Sequence, residues 1–271
     1  MPSELLDIIQ KNIDELRVRA VRALIAFFVF FLIFFTFKVE YYRILGMRIP
    51  LLYPDPYDNA GAQFLKLSEY HVLPKNVELI ALKPTDAMVA DIYSVMFLAL
   101  LFSMPFIVIE IGKFVAPGLK RRELQAIRSL GIPAAILFAI GSLFGFWYVF
   151  PVLFRIFFYF DFAVGSSPTM GIANYTSFFF MYIASFGLSF EMPVIMVGLT
   201  KLKIVPASFW LRNWRYAVVG SLIFGLIFSP GVLGVSMMIM ALPMMALYVL
   251  GAFIAKRVEK SDEGVYSVAA D

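Results

Sequence analysis

The chain has 271 residues, 61% of them hydrophobic and only 15% charged, against roughly 45–50% and 25% in ordinary soluble domains. A soluble protein of this size has too little interior to hide so much apolar surface, 30 Phe included, so the sequence is that of an integral membrane protein. Lacking cysteine and holding one histidine, His71, it excludes disulfides, paired-histidine metal sites and Ser–His catalysis; the net charge of +4 is scattered over short loops, which gives nucleic-acid binding no support.

In chain order, residues 1–19 come first. Leu5, Ile9, Ile13 and Leu16 recur at helical spacing, which predicts an amphipathic helix along the cytoplasmic membrane surface. Apolar runs able to enter a bilayer follow at about Ala20–Phe37, Met88–Ile111, Ser129–Leu153, Ser177–Leu199, Ala217–Phe228 and Val232–Ala255, with 256–271 as a tail. No small-residue cleavage site follows the first run, which is therefore expected to remain as a span. The fifth run is short and reaches only about 20 Å at 1.5 Å per residue, against a hydrocarbon core of roughly 30 Å. Ser229-Pro230-Gly231 predicts a tight turn from it into the sixth. Six spans put both termini on one side. Sixteen of the 23 Lys and Arg fall in the N-terminal stretch, the second and fourth loops and the tail, which marks that side as cytoplasmic.

Pro105, Pro133, Pro151, Pro193 and Pro243 sit inside or near the ends of spans. Each removes a backbone donor and bends or breaks its helix, so the expected fold is all-α, six proline-bent transmembrane helices forming a concave wall. The connection from Lys38 to Asp86 is too long for a passive loop. Its Pro54-Asp55-Pro56 turn and its Leu65, Leu67, Tyr70 and Val72 predict a small ordered cap on the outer side.

Acids inside spans are functional suspects, because a carboxylate in hydrocarbon is costly. Glu191 lies mid-way along the fourth span, in Phe186-Gly187-Leu188-Ser189-Phe190-Glu191-Met192-Pro193. It must find a donor on another helix, recruit water or stay protonated; the plainer reading is a buried acid satisfied by a neighbouring hydroxyl. Asp91 and Glu110 lie nearer span ends, where interfacial hydration is the plain alternative. On the cytoplasmic side, Glu15 and Arg19 are an i,i+4 pair, so a local helix-stabilising ion pair competes with any binding role. Glu123 stands among Lys120, Arg121, Arg122 and Arg128, and its plain reading is a solvated charge.

Three stretches shift that balance. Asn12-Ile13-Asp14-Glu15-Leu16-Arg17-Val18-Arg19 resembles the His-Leu-x-Glu-Leu-Arg-x-Arg opening of the TatC family, the core subunit of the Sec-independent, twin-arginine protein translocase. Phe114-Val115-Ala116-Pro117-Gly118-Leu119-Lys120-Arg121-Arg122-Glu123 resembles that family's Phe-x-x-Pro-Gly-Leu-Tyr-x-x-Glu loop, and the segment around Glu191 its Phe-Gly-x-x-Phe-Glu-x-Pro motif. Ser103-Met104-Pro105 and Arg215-Tyr216 also fall where the family places a Pro-containing second span and an Arg-Tyr pair before the fifth. Asn12 replaces the usual His and Lys120 the usual Tyr. The Thr-Pro-Pro-Asp before the last span reads Ser229-Pro230-Gly231-Val232, and Ser236 stands where a Gln is expected.

The resemblance implies a glove-like wall of six helices in a prokaryotic cytoplasmic membrane. It implies a receptor that binds twin-arginine signal peptides of folded cargo and moves that cargo with the proton gradient, with no enzyme activity and no cofactor or metal. By resemblance Glu15 and Glu123 are the signal-binding acids, with Arg17, Phe114, Pro117 and Leu119 around them. Glu191, Phe190, Pro193, Glu110 and Ser236 form the intramembrane polar set that meets small single-span partners of the TatA and TatB type. Membrane lipid and further copies of the chain complete the expected partners. A proton-coupled small-solute transporter using Glu191 is the alternative, although the sequence shows no internal repeat. An intramembrane protease lacks its signature residues.

Overall fold

The computed structural model describes residues 2–44, 47–74, 77–115, 121–163, 165, 169–228 and 234–268, with side chains left aside at 2–12, 43–48, 115, 121–129 and 262–268. Pro117, Leu119, the side chain of Glu123 and the Ser229-Pro230-Gly231 turn therefore lie outside the described residues.

The first helix, α1 (Pro2–Thr36), joins the amphipathic stretch and the first apolar run without a break. Pro2 supplies the preset φ of a first helical position, and neither Pro nor Gly recurs until Gly46. A hairpin follows, β1 (Phe37–Ile44) antiparallel to β2 (Met47–Pro54), with Phe37 opposite Pro54. Next come α2 (Ala60–Val72), the short β3 (Glu78–Ile80) and the long α3 (Asp86–Val115). The third apolar region contains α4 (Arg121–Phe144), one π-helical turn (Gly145–Val149) and α5 (Phe150–Ala163). After β4 (Thr169–Gly171), which pairs in parallel with β3, come α6 (Ile172–Phe190), α7 (Met192–Lys201), α8 (Ala207–Arg212), α9 (Trp214–Phe228) and α10 (Gly234–Val268).

The fold is thus mostly helical rather than all-α. The two small sheets correct the expectation, and the hairpin has a physical reason: Val39, Tyr41, Tyr42, Ile44 and Ile49 are residues that suit a pleated surface. Among the described residues, five helical segments are long and apolar enough to cross a membrane: Ile13–Thr36, Asp86–Phe114, Leu130–Ala163, Ile172–Lys201 and Gly234–Ser261. Trp214–Phe228 is apolar but shorter.

Two prolines leave marks on the backbone. Pro151 has no N–H for the carbonyl four residues before it, and the π turn lies directly ahead of it, with the Phe150 N–H reaching back to the Gly145 carbonyl. Pro193 likewise cannot donate to Ser189, and α6 ends at Phe190. Pro105, Pro133 and Pro243 are contained within α3, α4 and α10.

The core is an aromatic cluster between α5 and α6. Phe150, Phe154, Tyr175, Phe179, Tyr182 and Phe186 are all buried there, with Phe150 and Phe154 4.5 Å apart at their centroids and Phe178 and Tyr182 4.6 Å apart. Two glycines let α4 approach α6 closely. A Cβ on Gly141 would stand 2.6 Å from Phe190 Cγ, and one on Gly187 2.6 Å from Ser142 Oγ, the use to which membrane helices put small residues.

The segment between α1 and α3 joins the apolar core through Leu65, Val72 and Phe64 and is tied down further by polar side chains. Gln63 accepts the Val39 N–H at 3.1 Å and donates to the Val39 carbonyl at 3.2 Å, fixing the hairpin to α2. Asn59 caps α2 by accepting the Ala62 N–H at 2.9 Å, and donates to Asp91 on α3 at 2.7 Å. In the turn after β2, Asp55 accepts the N–H groups of Asp58 and Tyr57 at 3.2 Å and faces Lys38 at 3.4 Å. The Asp58 N–H first, then that of Tyr57 and the Lys38 ammonium, hold the Asp55 carboxyl below the usual carboxylate range.

Candidate functional site

Helix α3 has α1 on one flank and α4 and α6 on another. Each flank carries one of the sequence-predicted acidic centres.

The α1–α3 seam is apolar along most of its length, where Phe30 and Phe34 lie against Phe102, with centroids 6.0 and 4.9 Å apart. Towards the N-terminal half of α1 it becomes ionic. Glu15 and Arg19 are one turn apart, and the Arg19 Nε donates to Glu15 Oε1 at 3.0 Å while Nη2 pairs with the same oxygen. The remaining nitrogen, Nη1, stands 3.8 Å from Glu110 Oε2 on α3. Glu110 Oε1 pairs with Lys113, one turn further along the same helix. Two acids and two bases thus form a balanced chain across the seam. Their side chains are partly shielded: Glu110 is 13% exposed, Arg19 19% and Glu15 32%.

The local ion-pair reading of Glu15 is realised, and Arg19 carries it further, to Glu110. Glu110, grouped by sequence with Glu191, stands instead in the Glu15 network. Arg19 and Lys113 are the members that sequence reading had not placed in a site. The i,i+3 spacing of Glu110 and Lys113 was a signal for half of the chain; the link between α1 and α3 depends on helix register. Arg17 is exposed on α1, and Phe114 is half-buried at the end of α3.

Glu191 lies on the other flank, at the junction of α6 and α7. It is 4% exposed, and neither carboxylate oxygen has a hydrogen-bond partner among the described residues. The nearby hydroxyls on its helix are already committed: Ser189 donates to the Ser185 carbonyl and Ser185 to the Met181 carbonyl, each at 2.6 Å. A neighbouring hydroxyl therefore does not satisfy the acid.

Glu191 borders a cavity of about 250 Å³ walled by apolar side chains, Met104, Val108 and Ile111 of α3 and Leu130 and Val194 among them. Pro193 is buried just beyond it, and the Phe190 ring meets that of Phe144 at 5.9 Å. A second cavity of about 410 Å³ lies between α6, α7, α8, α9 and α10, with Met196, Trp210, Phe224 and Tyr248 in its wall. Leu188 and Ile195 border both. Ser236 is buried near the start of α10 and borders neither cavity.

The structure therefore brings together Glu15 with Glu110, and Glu191 with Phe190 and Pro193, as two centres on opposite flanks of α3. Among the described residues no group of three His, Cys, Asp or Glu could hold a metal ion.

Residues 11–243 match the family model described as TatC, Sec-independent protein translocase protein. A TatC protein of Cenarchaeum symbiosum is 32% identical over 93% of this chain and 96% of its own length. One of Carboxydothermus hydrogenoformans is 32% identical over 73% of this chain and 82% of its own. The crystal structure of a twin arginine translocase receptor, TatC, superposes with a TM-score of 0.71 over 91% of this chain and 99% of the other, at 24% identity, and shows the same fold. A chain of several apolar helices, with the sequence motifs and the fold of these proteins, belongs to the TatC family of Sec-independent protein translocases, a multi-pass membrane component and not an enzyme.

Proposed function

We propose that this protein is the signal-peptide receptor of a twin-arginine translocase in a prokaryotic cytoplasmic membrane. In this reading Trp214–Phe228 is a sixth, short span, both termini are cytoplasmic, and the 37–72 hairpin and helix form a cap on the outer side of a concave helical wall. Glu15 and Glu123 receive the two arginines of the peptide, with Arg17, Phe114, Pro117 and Leu119 around them. A guanidinium offers a planar fork that fits a carboxylate bidentately, and an ammonium does not.

The observation that carries this reading is the state of Glu15: a third exposed and already holding a guanidinium, that of Arg19. Its surroundings suit the ligand that the family match suggests. Glu191 has the second role. A carboxylate without a partner among the described residues, beside an apolar cavity, suits a polar group on a small single-span subunit of the TatA or TatB type, with Phe190 and Pro193 shaping the approach. Such recruitment, in a complex of several copies, builds the passage, and the transmembrane proton gradient drives it.

The test is binding of a fluorescent Arg-Arg signal peptide, with a Lys-Lys control, to the purified protein in detergent. Binding that falls with Lys-Lys and with Glu15→Gln or Glu123→Gln supports the receptor assignment. Equal binding of both peptides to a well-folded sample overturns it.

A further inference from the structure

We infer that Arg19 is an internal arginine that occupies Glu15 in the resting protein, and that Glu110 is the acceptor that takes it over when a peptide arginine arrives. The inference rests on the receptor reading of Glu15 and adds to it how the site is kept and opened.

The geometry is that of an exchange part-way prepared. Two of the three guanidinium nitrogens of Arg19 are spent on one oxygen, Glu15 Oε1. The third, Nη1, points across the seam at Glu110 Oε2 from 3.8 Å, within ion-pair range but beyond a hydrogen bond. That oxygen is buried and accepts no hydrogen bond among the described residues, whereas its sister oxygen is held by Lys113. Glu110 thus keeps one acceptor unused and facing Arg19, at a place where an unused acceptor is costly. The exchange asks Arg19 Nη1 to move from 3.8 Å to hydrogen-bond distance of Glu110 Oε2. Among the described side chains on this part of α1, the other charged groups, Asp14, Arg17 and Arg22, are exposed and take no part in the network.

The charges account for the roles. An arriving guanidinium that takes Glu15 would strand Arg19, 19% exposed, without a carboxylate. With Glu110 in place, Arg19 exchanges an outer acid for an inner one, and each guanidinium keeps a partner. The displacement costs the same whichever ligand arrives. It therefore sets a threshold that a ligand must exceed, leaving the preference for guanidinium over ammonium to Glu15 and Glu123 themselves. Glu110 is a positioning residue here, acting through Arg19 and not on the peptide.

The experiment measures the affinities of Arg-Arg and Lys-Lys peptides for the full chain in detergent, in the wild type, Arg19→Gln, Glu110→Gln, the double variant and Glu15→Gln. Arg19→Gln is expected to tighten both peptides by the same factor, about fivefold for a partly exposed ion pair. Glu110→Gln alone is expected to weaken both by about fivefold, and the double variant to match Arg19→Gln. Weaker binding in Arg19→Gln, or a changed ratio between the peptides, would overturn the inference by making Arg19 a direct contact. An equal loss from Glu110→Gln with and without Arg19 would overturn it by placing Glu110 on the peptide.

Full Arg-Arg binding in Glu15→Gln would sink the receptor reading and the exchange together. Loss of binding there, with additive effects of Arg19→Gln and Glu110→Gln, would sink the exchange alone. Should Arg19→Gln unfold, as seen by gel filtration, Arg19→Lys replaces it. A single-point donor there is expected to give a smaller tightening of the same sign, and a loss of affinity would overturn the inference.

Discussion

The two flanks of α3 treat a carboxylate in opposite ways. At the α1 seam, Glu15 and Glu110 each have a basic partner on their own helix, and Arg19 bridges the two helices. At the α6–α7 junction, Glu191 is more deeply buried and has no internal partner among the described residues. Where a charge is paired, the fold carries its desolvation cost locally; where it is not, the cost stays with the acid until something outside the chain meets it. The first arrangement stores a ligand-like contact, and the second leaves a demand for one.

The largest effect that would break this contrast is functional. Glu191→Ala is expected to reduce transport of a folded Arg-Arg cargo by more than about a hundredfold while Arg-Arg peptide affinity holds, as befits an intramembrane acid with a task of its own. Lost peptide affinity in a folded Glu191→Ala protein would merge the two flanks into one site. Next comes Glu15→Gln, expected to weaken the Arg-Arg peptide by roughly 10- to 100-fold, the worth of a charge-assisted hydrogen bond; transport should fall with it.

Smaller effects concern stability. Gly187→Val forces a branched side chain into Ser142 and Phe138 and is expected to cost about 1–3 kcal/mol, read as a lower unfolding temperature in detergent. Glu191→Met fills the same space without an unpaired carboxylate, and should raise stability by about 1–2 kcal/mol even as transport fails. A lower unfolding temperature in Glu191→Met would show that the acid is satisfied within the chain, which removes the contrast. The smallest effect lies outside both flanks. Asp55 has a lowered pKa, so its stabilisation is present above the ordinary carboxylate range and fades as pH falls through the lowered value. Asp55→Asn should flatten that part of the acid limb of the unfolding profile, measured at low salt.

Much of this was legible in the residues, for reasons that differ by region. Long apolar runs identify Ile13–Thr36 or Asp86–Phe114 as membrane helices because hydrocarbon admits few alternatives. Glu191 stands out as a lone acid in such a run, and Pro193 announces the interruption beside it. The hairpin was harder. Phe37-Lys38-Val39-Glu40-Tyr41 alternates apolar and polar residues, but Pro50-Leu51-Leu52-Tyr53-Pro54 opposite does not, and the register that pairs Val39 with Leu52 is a property of two segments, not one. Arg19 reaching Glu110 is of the same kind, since spacing along α1 shows Glu15 and is blind to α3. The use of Asn59 and Gln63 as ties was equally hidden, because an amide in a polar segment has no periodicity to betray it.

The uninterrupted α1 has a mechanical meaning. From Arg19 to Thr36 it spans about 25 Å at 1.5 Å per residue, with no proline or glycine to act as a joint. At its far end the Thr36 carbonyl receives the Asp55 N–H at 2.9 Å, directly at the base of the hairpin. A rod clamped to ions at one end and to a hairpin at the other cannot tilt at one without moving the other. The ionic seam and the hairpin are joined, through this helix, by a strut.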